Sequence, residues 1–98
     1  MKAVVFQEDA ETEMLEAAAY YEVQQSDLGR RFLAAVQDAI NRIVLNPSLY
    51  PVVVFDVQRC LTKIFPFGVL FRDRPKQIEV IAVMHLHVRQ IIGKKGGN

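Results

Sequence analysis

The chain has 98 residues, half of them apolar, and a formal net charge of +1. One hydrophobic core is all that length can build, and a single cysteine, Cys60, excludes an internal disulfide. The near-neutral charge argues against a dedicated nucleic-acid binder. No apolar run approaches a membrane span and no charged leader precedes one, so a soluble cytoplasmic domain without membrane contact is expected.

The charge is unevenly distributed. In residues 1–27 one lysine, Lys2, stands against seven carboxylates, a net −6; residues 28–98 set eleven Lys and Arg against four carboxylates, a net +7. This pattern predicts an acidic helix on one side and a basic surface, suited to an anionic partner, on the other.

Lys2 to Phe6 is short, apolar and β-branched, and reads as a first strand. Asp9 is a plausible N-cap for a helix running to Val23, with Ala10, Met14, Ala17, Ala18 and Tyr21 at helical spacing and the glutamates largely off that stripe. Ser26 or Asp27 then caps a second helix. Its stripe is Leu28, Phe32, Ala35, Val36, Ala39, Ile40 and Ile43, with Arg42 among the solvent candidates, and Asn46-Pro47 ends it. Two amphipathic helices with a short link form a hairpin, which needs a sheet to cover.

Beyond Pro51 come Val52–Phe55 and then an Arg59–Phe65 strand, interrupted by Pro66-Phe67-Gly68. Phe67, Val69 and Phe71 alternate with Gly68, Leu70 and Arg72; Asp73–Gln77 reads as a turn, and Ile78–Met84 as a central strand buried on both faces. The expected fold is α+β in the order β-α-α-β-β-β, a helical hairpin packed on a small antiparallel sheet. Residues 1–92 form the domain, and the glycine-rich basic tail 93–98 is expected to fray.

Strict alternation assigns the basic residues to faces. Arg59 and Lys63 share one face, Arg72 lies opposite Phe67, Val69 and Phe71, and His85 goes with Ile81 and Val83. With the helices on the apolar faces, Arg59, Lys63, Arg72 and His85 are expected to converge on the open face. Grouped cations there would hold a phosphate and stabilise charge during its transfer, and a histidine would move a proton. The competing expectation is a solvated basic face that discourages edge pairing. His85 and His87 lack a third ligand at a useful spacing, so no metal is expected. Cys60, among apolar neighbours, reads as core, and no glycine-rich phosphate loop or hydrolase triad is present.

The segments EAAAYYE, LGRRF, NPSLYP, then Arg59 leading to KIFPFGVLFR, then IEVIAVMH make residues 1–89 resemble the RelE/ParE superfamily of toxins from bacterial type II toxin–antitoxin modules. The resemblance implies the same α+β fold and a cognate antitoxin whose C-terminal segment wraps the toxin. ParE-like members inhibit DNA gyrase by binding, and EAAAYYE with NPSLYP favours that branch. The alternative is a RelE-like, metal-independent, ribosome-dependent mRNA endoribonuclease in which Arg59, Lys63, Arg72 and His85 are catalytic. A second alternative is a non-toxic relative that only forms complexes. In the binding reading the contact residues are Arg59, His87, Arg89, Lys94 and Lys95, no cofactor is required, and the assembly is a homodimer or a toxin–antitoxin hetero-oligomer. After His85 the chain departs from the ParE-like pattern: Arg89 falls one position late, and no proline or tryptophan follows.

Overall fold

The computed structural model describes residues 2–86. Strand β1 (Ala3–Phe6) leads into helix α1 (Glu8–Gln24), and helix α2 (Leu28–Leu45) follows after a short link. A single 3-10 turn (Pro47–Leu49) then opens the strands β2 (Val52–Val54), β3 (Val57–Leu61), β4 (Phe67–Asp73) and β5 (Gln77–His85). The five strands form one sheet in the order β1-β5-β4-β3-β2.

This is the expected α+β architecture with two refinements. The sheet is mixed, because β1 pairs parallel with β5 while the other pairings are antiparallel. The helical hairpin acts as the crossover between them, as a parallel pair requires. The segment after Pro51 is also a hairpin of its own, because Phe55, at φ 49, turns the chain between β2 and β3.

Local chemistry explains the helix ends. Asp9, expected to cap α1, lies inside its first turn with Glu8 and Glu11, where carboxylates suit the positive end of the helix dipole. The capping residue is Gln7, whose backbone N–H donates to Val80 O at 2.9 Å. Asp27 does precede α2, at φ 76, but its carboxylate accepts from Arg30 instead of capping. Glu22 takes over that role, its two oxygens accepting from the Asp27 and Gly29 amides at 2.8 and 2.9 Å. Gly29 is needed for packing: a Cβ there would come within 2.5 Å of the Ala18 carbonyl oxygen. Small residues therefore set the distance between the two helices.

The core fills the space between the hairpin and one face of the sheet. Its centre is aromatic, with Phe32 4.8 Å from Phe67 and 5.3 Å from Phe65, and Tyr21 4.9 Å from Phe65, measured between ring centroids. Phe71, Val69, Val80, Val83, Ile78 and Cys60 complete it from the strands. A smaller buried cluster, Val57, Leu70 and Ala82, with Ile81 and Met84 against it, lies on the outer face of the sheet.

The expected Arg59–Phe65 strand stops at Leu61. The Thr62 hydroxyl is buried and donates toward the Phe65 and Phe67 carbonyls, at 2.8 and 3.2 Å, which closes a tight loop. Ile64 sits in that loop at φ 75. Arg42, expected in solvent, reaches across instead, donating to Asp38, to the Cys60 sulfur at 3.4 Å and to Leu61 O at 3.1 Å. Cys60 itself is 0 % exposed, and burial pushes its thiol above the ordinary value despite the nearby guanidinium. It is a core residue, not a nucleophile.

Candidate functional site

The register of the sheet decides which basic residues meet. On β3, Arg59 stands opposite Leu70, and on β4, Arg72 stands opposite Glu79; both pairs belong to the outer face. His85 was expected on the same face. It is instead paired with Phe67, with ring centroids 5.1 Å apart, on the face that packs against the helices. The cause is a β-bulge: Phe71 opposes Val80 but Leu70 opposes Ala82, so Ile81 is an extra residue. One inserted residue reverses the side-chain parity of everything beyond it. Val83 and His85 therefore join Val80 on the helix side.

Lys63 departs for a different reason. Its strand has ended, and the loop carries it beside α2, where it lines a groove with Arg31, Ala34, Asp38 and Ile64. The four residues expected to converge are thus divided between the outer face, the α2 side and the helix-covered face. His87, Arg89, Lys94 and Lys95 lie outside the described residues.

Of the two cations left on the outer face, Arg72 is engaged. Its guanidinium donates to Asp56 at 3.1 Å and lies 3.8 Å from Glu79, which also pairs with Arg74 at 3.4 Å. The hydrogen bond from Arg72 holds the Asp56 carboxyl below its usual range, and that from Gln7, aided by Arg74, does the same for Glu79. Arg59 is different: among the described residues it has no carboxylate partner. Its stem runs over Gly68, where an added Cβ would come within 3.1 Å of Arg59 Cδ. Glycine at that position makes room for the arginine chain. The result is a half-buried stem with a guanidinium available to an outside acceptor.

Sequence reasoning missed the exposed apolar side chains of β2, β3 and the turns that follow them. Leu61 is 48 % exposed, and Val52, Val53 and Val54 are exposed along the β2 edge. Phe55 and Ile64, both at positive φ, are 93 % and 88 % exposed. Bulky side chains in the left-handed region are strained, and burial does not account for these two. The only available signal was negative: the turn between β2 and β3 lacks the glycine or asparagine such a conformation favours. A further groove of about 460 Å³ runs between β1 and α2, lined by Val4, Phe6, Ile40, Val44 and Leu45 among others. Among the described residues no group of three His, Cys, Asp or Glu side chains is placed to hold a metal, and no helix is long and apolar enough to cross a membrane.

The described residues thus form a helical hairpin over a five-stranded mixed sheet, with Arg59 on the outer face and several large apolar side chains exposed. The fold matches a solved structure described as the chromosomal ParDE TA system from P. aeruginosa, with a TM-score of 0.65, 20 % sequence identity, and coverage of 87 % of this chain and 96 % of that one. At that identity the likeness is one of fold. Residues 4–87 match the model of the family described as the ParE toxin of the type II toxin–antitoxin system, parDE. The chain belongs to the ParE toxin family, as the order of its motifs implies. No curated protein matches it.

Proposed function

We propose that this ParE-family toxin acts by binding, with DNA gyrase as its target and a cognate antitoxin as its inhibitor. The observation that carries this reading is the separation of Arg59 from His85 by the full thickness of the sheet. A metal-independent ribonuclease needs its phosphate-holding cation and its proton carrier on one reacting centre, within hydrogen-bond reach. Among the described residues, the bulge at Ile81 takes His85 away from that face and two carboxylates occupy Arg72. Arg59 has no carboxylate partner among the described residues and shares its face of β3 with the exposed Leu61, which gives it the character of an interface anchor: an arginine beside an exposed apolar side chain. Cytoplasmic action, a toxin–antitoxin hetero-oligomer, and contact roles for His87, Arg89, Lys94 and Lys95 belong to the same proposal.

Purified toxin added to gyrase and relaxed plasmid is the direct test. Supercoiling should stop while programmed ribosomes carrying mRNA leave the message intact. Arg59→Ala should weaken inhibition at least tenfold without unfolding the chain. Codon-positioned mRNA cuts that disappear in the same variant would overturn the proposal in favour of the ribonuclease. Growth unaffected by expression, together with retained antitoxin binding, would replace it with the purely complex-forming relative.

A further inference from the structure

On the helix-covered side, away from Arg59, the described surface has a cleft that the proposed function does not use. Ala17, Tyr20 and Tyr21 of α1 enclose about 430 Å³ with Phe67 of β4 and His85 of β5. Its walls are ring edges and faces: Tyr20–Tyr21 centroids are 5.5 Å apart at 71°, Tyr21–Phe67 6.1 Å at 64°, and Phe67–His85 5.1 Å at 80°. Tyr21 and Phe67 are held by the core packing and His85 stands edge-on against Phe67, whereas Tyr20 is mostly exposed and presents its ring to whatever enters.

Charge selects the occupant. Glu13 and Glu16 stand four residues before Ala17 and Tyr20, on the same face of α1, and the α1 sequence contains no lysine or arginine. Glu13 is fixed there because its carboxylate accepts the Val83 amide at 3.0 Å, on the part of the β5 edge that β1 does not reach. Two carboxylates one helical turn from the cleft lining make its surroundings unfavourable for phosphates and carboxylates, which argues against nucleic acid. Aromatic faces carry the negative end of the ring quadrupole, so the walls and the adjoining turn of α1 both favour a cation. A flat guanidinium on an apolar stem suits such a cleft better than a compact, strongly hydrated ammonium.

We infer that this cleft is a binding site for an arginine side chain carried by a partner polypeptide. The stem lies along Ala17 and the Phe67 edge, the guanidinium stacks on Tyr20, and its N–H fork points toward Glu16. The site stands independently of the target of the toxin, since it uses neither Arg59 nor the outer face.

The probe is N-acetyl-arginine methylamide, titrated into the full chain while tyrosine-ring carbon–proton NMR signals are followed, with the norleucine analogue as the uncharged control. The arginine probe should shift Tyr20 and Tyr21 saturably with a midpoint on the order of millimolar, at least threefold tighter than norleucine. Tyr20→Ala, at an exposed position that leaves the fold intact, should weaken it by roughly twofold to fivefold, the range of an exposed cation–π contact. Glu16→Gln should weaken arginine but leave norleucine unchanged. Equal binding of the two probes would overturn the assignment by making the cleft an ordinary apolar pocket. So would no saturable shift in either the native chain or Arg89→Ala. A response that appears only in Arg89→Ala would also overturn it, because the chain's own arginine, and not a partner's, would then be the occupant.

Discussion

The two faces of the sheet are cut from alternate residues of the same strands, and they are built to different ends. The helix-covered face is a continuous core in which Phe32, Cys60, Val69, Phe71 and Val80 are fully buried. The outer face holds the small buried cluster of Val57, Leu70 and Ala82 beside a half-buried arginine and exposed leucine and valine. One face carries most of the buried apolar core among the described residues. The other buries less and leaves Arg59 without a carboxylate partner there, features that the proposed binding role would use.

The comparison can be broken at either face. Phe32→Ala should have the largest effect, about 3–5 kcal/mol measured by urea unfolding, because it removes the ring that joins Tyr21, Phe65 and Phe67. Gly29→Ala should follow at roughly 1–3 kcal/mol, since the added methyl meets a backbone carbonyl that cannot move without shifting α1. A Gly29→Ala chain as stable as the native one would refute the account of the helix spacing. On the outer face the order of effects reverses. Arg59→Ala should change the unfolding free energy by less than about 0.5 kcal/mol while weakening target inhibition; a large loss of stability would mark Arg59 as structural.

The smallest expected effect is electrostatic and sharpens the division within the outer face itself. Asp56 and Glu79 hold their protons less tightly in the folded chain than in the unfolded one, through Arg72 and through Gln7 with Arg74. The stability they contribute is therefore complete above the ordinary carboxylate range and is lost as pH falls through that range to their lowered folded values. Asp56 is exposed and Glu79 is half-buried at the surface, so the loss should be slight. Unfolding midpoints at pH 7 and pH 3 should draw together in Arg72→Met, which removes the partner of Asp56; an unchanged pH dependence would show that this ion pair contributes nothing.

Much of the fold was legible in the chain. Ala10, Ala18, Phe32, Val36, Ala39, Ile40 and Ile43 recur at helical spacing and are buried as that spacing requires. Phe67, Val69 and Phe71 alternate and face the core. The candidate site was legible only in part. Arg59 and Arg72 lie on the face that alternation assigns them, but His85 does not, because alternation has no term for an inserted residue. Nothing in VIAVMH distinguishes a regular strand from one that bulges at Ile81. Lys63 was misplaced because a run of strand-forming residues continues past the point where the Thr62 hydroxyl closes a loop.

Periodicity and charge order, which are local properties, determined from the sequence alone the two helices, their apolar faces and the acidic character of α1, while the order of the motifs carried the resemblance to the family. Tertiary structure decided the parallel pairing of β1 with β5, the exposure of Phe55 and Ile64, and above all which cations share a face. Those outcomes depend on how distant strands fit together, and a one-residue offset in that fit carries a side chain from one side of the sheet to the other.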